Sequence, residues 1–473
     1  MLFNSFIFVA FFIVIYAVYA ALRNYYRAQN LLLLAASYLF YSYWDARFLM
    51  LLIGSTLVDY WVGRQLERTA GDRSRKALLA ISLVSNLSIL GFFKYFNFFS
   101  ATAGRSLAIL GLSTDPVILS VILPVGISFY TFQTLSYSID VYRKKIPAAR
   151  SLLDFALFVS FFPQLVAGPI ERASTFLPQI QSPRILRADQ INAGLFLILW
   201  GYFKKLVVAD NLGKIVVKIF GEYTDYQGLD IVVGTLAFTL QIYGDFSGYS
   251  DIARGLAKLM GFELMVNFRL PYFAANPSDF WARWHISLST WFRDYVYISL
   301  GGDRASRPIV YRNLAVTMLL CGLWHGAAWN FILWGSFHAA LLIGYRAAEK
   351  HLSSGLGWLR QRGAPAHWLS VAAMFFWVNI GWILFRSGSI QQAVYMVTHL
   401  GFSSSPDTLE IAYDLLFFSL PLLIVQVFQF RSQDLLVLTQ LKSWIRVPLY
   451  GAVLASIIAL SSRDLSEFIY FQF

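Results

Sequence analysis

The chain has 473 residues, of which 58% are apolar, 17% aromatic and only 14% charged, and its mean hydropathy is +0.57. Such a composition excludes an ordinary soluble domain and reads as an all-α, multispanning membrane protein, because the apolar runs are continuous for roughly sixteen to twenty-two residues and do not alternate as barrel strands do. The net charge of +12 sits in short loops between these runs, where positive-inside sorting explains it without nucleic acid, and one cysteine, Cys321, excludes a disulfide framework or a Cys-rich metal site.

Residues 1–21 form an apolar run whose charges, Arg23 and Arg27, come after it, with no small-residue cleavage site. It is expected to be a retained first span with its amino end outside the cytoplasm. Spans over 31–43 and 48–62 lead to a loop with Arg64, Arg68, Arg73, Arg75 and Lys76, which counting places on the cytoplasmic side. Further spans are expected near 77–98, 115–135, 151–167, 190–220 and 229–247, with a second basic loop at Arg143, Lys144, Lys145 and Arg150. The last group lies near 309–325, 327–346, 368–385, 411–429 and 446–461, for about eleven to thirteen membrane segments, some re-entrant. The clearest loops, 353–365 and 401–407, are too short to separate domains. One integral membrane domain over 1–473 is expected, without the inverted repeats of many transporters.

Three polar clusters interrupt the apolar runs. Pro124 to Gln133 continues to Tyr137, Asp140 and Arg143; its Pro124 and Gly126 predict a broken or closely packed helix. Phe161 to Arg172 frames Gly168 between Pro163 and Pro169 and ends in Glu171-Arg172, so it is not a regular lipid-facing helix. Tyr243 to Asp251 holds two carboxylates, two serines, two tyrosines and two glycines, and Arg254 stands three residues beyond Asp251, in reach of an ion pair. The plainest account of each cluster is close helix packing with polar groups satisfying one another. Together they imply an internal polar cavity or tunnel.

The stretch from Phe280 to His338 is the most informative. Trp281, Trp284, Leu288, Trp291 and Tyr295 recur at helical steps, and His285, Ser289 and Arg293 line another face. A helix too polar for lipid and too apolar for water is expected to be re-entrant or interfacial, walling the cavity. His325 follows the uncharged run 316–323, and an ionisable group at membrane depth marks a pathway or a reaction. General-base chemistry fits the two histidines better than a metal, for which they lack a third ligand. The plainer alternative for His285 is that it ties its helix to a backbone carbonyl. Cys321, four residues before His325, reads as a small apolar filler, not an acyl relay, since no nearby Lys or Arg would lower its pKa.

Trp-His-Ile-Ser-Leu-Ser-Thr-Trp-Phe-Arg-Asp-Tyr at 284–295, Leu-Trp-His-Gly-Ala-Ala-Trp at 323–329 and Trp-Gly-Ser-Phe-His at 334–338 resemble the membrane-bound O-acyltransferase family, most closely its bacterial branch. The motifs at 162–170 and 243–251 are similar too, so the likeness covers at least 120–340. The resemblance implies a helical fold around a central tunnel in the bacterial inner membrane. It also implies transfer of an acetyl group from cytoplasmic acetyl-CoA across that membrane, where periplasmic partner proteins complete O-acetylation of an exopolysaccharide. An alginate-like polymer comes first, with cellulose and peptidoglycan as alternatives. By position His325 matches the family's essential histidine and His285 the second histidine of the bacterial branch. His338, Asp245, Asp251, Arg293 and Asn330 are secondary candidates. His338 ranks below the other two because thirteen residues of helix would turn it away from His325. Arg293, Arg304, Arg307 or the Lys204-Lys205 pair would meet the CoA phosphates. A transporter or flippase of an acyl or glycosyl carrier, with histidines relaying protons, stays open as an alternative, as does a non-catalytic scaffold of an export complex.

Overall fold

The computed structural model describes residues 1, 3–112, 115–166, 168–355, 364–462 and 468–469, with side chains at all of these except 349–355 and 364. Every regular element among them is a helix. Among the described residues eight helices are long and apolar enough, by length and composition, to cross a membrane. The first run, α1 (Phe6–Ala21), is a shorter apolar helix.

The chain divides into two compact units, one made of residues 1–195 with 253–265 and the other of 196–252 with 266–473. In the first unit, α2 (Tyr26–Ser42), α3 (Ala46–Arg68), α4 (Asp72–Leu90), which continues as α5 (Phe96–Ile109), and α6 (Ile127–Tyr142) follow one another. The expected span over 115–135 becomes helical only at Ile127. Pro116 and Pro124 lack the N–H a helix needs, and Gly126 takes φ 75°, where a Cβ would collide with the Leu165 carbonyl oxygen. The polar residues of α6 face inward: Asp59 of α3 accepts hydrogen bonds from Asn86 Nδ2 (2.7 Å), Ser138 Oγ (3.0 Å) and Ser82 Oγ. Asn86 Oδ1 in turn accepts from Ser55 Oγ (2.7 Å). A buried carboxyl group on α3 is thus satisfied by neutral donors from α4 and α6, which fixes the register of the three helices.

The unit continues through α7 (Leu152–Ser160), the single turn α8 (Phe162–Leu165) and α9 (Ala173–Ile180). The prolines expected to break this region do so. Beyond it Glu171 is buried, accepting from the Met265 N–H at 2.7 Å. Burial raises its carboxyl to about 7, against the opposing pull of that hydrogen bond and of Arg172 and Arg254.

From α10 (Ala188–Tyr202) the chain passes through a π-helical stretch at Phe203–Ala209 into α11 (Asp210–Gly221), then through α12 (Leu229–Leu259). The 243–251 motif lies inside α12 as regular helix. In the second unit follow α13 (Pro277–Arg283), α14 (Ile286–Phe292), α15 (Arg307–His325), α16 (Trp329–Gly355), α17 (Ala364–Arg386), α18 (Ile390–Thr398), α19 (Thr408–Ser432) and α20 (Ser443–Leu460). Of the loop expected at 353–365, residues 353–355 belong to α16 and 364–365 to α17, and residues 356–363 lie outside the described residues. The loop at 401–407 is present. Helices α15 and α16 form a tight pair: a Cβ on Gly322 would collide with the Phe331 carbonyl oxygen, so the backbones touch where Gly322 crosses.

Candidate active site

The helix expected to carry His285, Ser289 and Arg293 in one row is interrupted at His285. His285 has φ 43°, between α13 and α14, and the chain turns π-helical at Arg293–Tyr297. The cause is a distant residue. Asn267 accepts from Ile286 N through its carbonyl (2.9 Å) and from Ser287 N (3.2 Å) and Ser287 Oγ (2.9 Å) through its side chain, satisfying the first N–H groups of α14. Arg269 N donates to Arg283 O at 2.9 Å and holds the end of α13 beside the segment that carries Asn267. His285 is thereby placed at a left-handed corner, fully buried, with its ring 4.5 Å from Phe246, 6.4 Å from Phe268 and 5.9 Å from Trp324.

Trp324 joins the two principal histidines. Its ring lies 5.0 Å from that of His325, the last residue of α15 and 3% exposed. His285 and His325, forty residues apart in sequence, thus pack near one indole. On its other sides His325 meets Trp334 at 5.1 Å and Phe385 at 5.3 Å, edge to face.

His338 is closer than the helical count allowed. The chain leaves helical geometry at Gly326, whose φ is −163°, and re-enters it at Trp329, so α16 folds back along α15. A Cβ at Gly326 would collide with the Phe331 ring. Trp334 consequently stands between His325 and His338, with its ring 4.7 Å from the latter.

The secondary candidates divide. Asn330 donates from Nδ2 to the Phe385 carbonyl at 3.2 Å and ties the start of α16 to the end of α17. Arg293 is exposed and paired with Asp294 at 2.8 Å. Asp251 pairs with Lys204 at 2.6 Å, a partner distant in sequence, and Ser247 Oγ accepts from the same ammonium at 2.9 Å. Asp245 accepts from Lys205 at 2.6 Å and from the Ile469 N–H at 2.7 Å, while Lys205 also reaches Asp210 at 2.8 Å. Lys204 and Lys205 are 2% and 1% exposed, with their ammonium groups held by these carboxylates. Their role as buried counter-ions was the feature sequence reasoning missed. Two adjacent lysines inside an apolar run need carboxylates, and the facing run supplied them at Asp245 and Asp251. Arg304 and Arg307 remain exposed beside a loop in which Tyr297 Oη donates to Asp303 at 2.7 Å. Burial and Asp303 push that hydroxyl up to about 12, so it stays a donor.

Among the described residues no group of three His, Cys, Asp or Glu is placed to hold a metal ion. Two imidazoles in an aromatic, water-poor setting can accept and return a proton or donate a hydrogen bond to a developing oxyanion.

Residues 77–385 match the profile of the membrane-bound O-acyltransferase family. The chain belongs to that family. It is a multi-pass membrane O-acyltransferase, and all three clustered histidines lie inside the matched region. It is 40% identical to a probable alginate O-acetylase of Pseudomonas putida, over 94% of this chain and 95% of that protein. It is 36% identical to a peptidoglycan O-acetyltransferase of Helicobacter pylori, over 83% and 78%. A teichoic acid D-alanyltransferase of Bacillus subtilis is 28% identical over 55% and 68%. Acyl transfer requires an acyl donor, which this family member must bind. Membership also decides between the readings left open by the sequence, in favour of an enzyme over a carrier flippase or a scaffold.

His285→Gln separates chemistry from support, because glutamine keeps hydrogen bonding but cannot act as an acid or base. Turnover is expected to fall by about ten- to a hundredfold with donor affinity intact, less than the full loss of a general base. Wild-type turnover in this variant would make His285 a structural corner only.

Proposed function

We propose that this acyltransferase moves an acetyl group from acetyl-CoA at the cytoplasmic face of a bacterial inner membrane to the opposite side, for O-acetylation of an exopolysaccharide. His325 is the general base, His285 assists it, and the acceptor is an alginate-like polymer or a periplasmic partner protein that passes the group on. The observation that carries this reading is the pair of buried imidazoles packed near the Trp324 indole.

A thioester is already activated. What it needs is an acceptor hydroxyl freed of its proton and held against the carbonyl carbon. His325 takes that proton as the oxygen attacks, and returns it to the thiolate that leaves. The full-length likeness to a protein named as a probable alginate O-acetylase favours alginate-like chemistry over peptidoglycan, whose O-acetyltransferase is less similar over a smaller share of the chain. Arg293, Arg304 and Arg307, all exposed, are the arginines proposed to meet the CoA phosphates.

Purified protein in lipid nanodiscs, given acetyl-CoA labelled on the acetyl group, is expected to release free CoA and label an added polyol or polysaccharide acceptor. Binding of acetyl-CoA with neither outcome, in the presence of acceptor and partner proteins, would overturn the reading.

A further inference from the structure

Beside His325 lies a patch of buried hydrogen-bonding groups that the protein does not satisfy. The indole N–H groups of Trp334 and Trp382 and the Nδ1 of His338 are buried and have no hydrogen-bond partner among the described residues. Trp334 is fully buried, and Trp382 and His338 are each 1% exposed. The same holds for the buried indole nitrogen of Trp281, whose ring stands 5.1 Å from His338. The rings that carry these groups form one cluster. The Trp334 ring is 5.1 Å from His325, 4.7 Å from His338 and 6.4 Å from Trp382.

Proteins pair nearly all of their buried polar groups, since leaving one unpaired carries a desolvation penalty. Several such groups packed around a reactive histidine are a feature of a place prepared for a polar guest. The neighbours are rings, which exclude competing side-chain acceptors. His338 is stacked on Phe280 at 6.0 Å with 7° between the planes, and its Nε2 side is closed by Gly381, where a Cβ would come within 3.1 Å.

We propose that the indole N–H groups of Trp334 and Trp382, with His338, form an oxygen-binding subsite next to His325 that holds the carbonyl oxygen of the acyl group. The proposal rests on the assignment of His325 as base. As the acceptor oxygen bonds to the thioester carbon, its proton passes to His325 and the carbonyl electron pair moves onto oxygen, where the indole N–H groups stabilise it. When the carbon–sulfur bond breaks, that pair returns to the carbonyl and the thiolate recovers the proton. A donor aimed at charge that develops only in the transition state raises turnover more than affinity.

The test is Trp334→Phe and, separately, Trp382→Phe, each of which keeps a ring and deletes the N–H. A third protein carries benzothienylalanine at position 334, which keeps the bicyclic shape and replaces N–H with sulfur. Each is compared with the wild type in thermal unfolding, kcat and KM for acetyl-CoA. The subsite predicts a fall in kcat of about a hundredfold for loss of one donor, with KM unchanged, and the same fall at an unchanged unfolding temperature in the benzothienyl protein. Wild-type kcat in the benzothienyl protein, or a loss of activity that only follows a loss of stability, would show that these rings serve packing alone. A wild-type protein that transfers no acyl group from acetyl-CoA would instead refute the donor assignment on which the proposal stands.

Discussion

His325→Ala is expected to abolish acyl transfer, by about 10²- to 10⁴-fold, in a protein that still folds and inserts. The side chain is 3% exposed and meets its neighbours through ring contacts with Trp324, Trp334 and Phe385. Its removal leaves a small cavity at the end of α15, whereas the Gly322 crossing that joins α15 to α16 is untouched. Such a cavity costs stability on the order of a few kcal/mol, which a well-packed bundle tolerates. The chemical loss is larger, because alanine has no group that can take up the acceptor's proton. Turnover and thermal unfolding measured on the same preparation separate the two effects. Near-normal turnover in the folded variant would remove His325 from the mechanism.

Lys205→Met is expected to have the largest effect on stability. The Lys205 ammonium lies 2.8 Å from Asp210 and 2.6 Å from Asp245, and these side chains are 1%, 2% and 3% exposed. Methionine matches the length of the stem but leaves two carboxylates buried without that cation. Breaking a buried pair in this way typically costs about 3–5 kcal/mol, a large part of the 5–15 kcal/mol by which proteins are commonly stable. The damage should reach the site, since Asp245 precedes Phe246, whose ring is 4.5 Å from His285. Adding Asp245→Asn should recover part of the loss by neutralising one stranded carboxylate. Unfolding temperatures in detergent give the answer, and a Lys205→Met protein as stable as the wild type would show that the cluster is not what holds α12 against the π-helical stretch.

Much of the fold could be read from composition and run length, because a membrane helix announces itself locally. The runs at 48–62, 190–220 and 411–429 are helices at nearly those bounds. Both principal histidines were also visible, since an imidazole among leucines and tryptophans violates the pattern around it. What could not be read came from contacts between residues far apart in sequence. The corner at His285 depends on Asn267, and no propensity in Trp284-His285-Ile286 signals it. The nearness of His338 to His325 depends on three non-helical residues, 326–328, that a continuous helical count ignores. The carboxylate of Asp251 meets Lys204 on another helix, a partner that no spacing around Asp251 announces. Local spacing shows which residues can meet along one helix; the pairing of buried charges is decided by which helices face each other.

The most direct test of the account uses sealed, inside-out membrane vesicles that contain the protein together with acceptor polysaccharide and periplasmic partner proteins in the lumen. Acetyl-labelled acetyl-CoA is supplied only outside, and the label in lumenal O-acetyl ester is followed with time. The account predicts that label enters the lumenal ester while free CoA stays outside, and that neither happens with His325→Ala. Lumenal acetylation that proceeds equally in that variant, or that requires intact acetyl-CoA to enter the vesicle first, would contradict it.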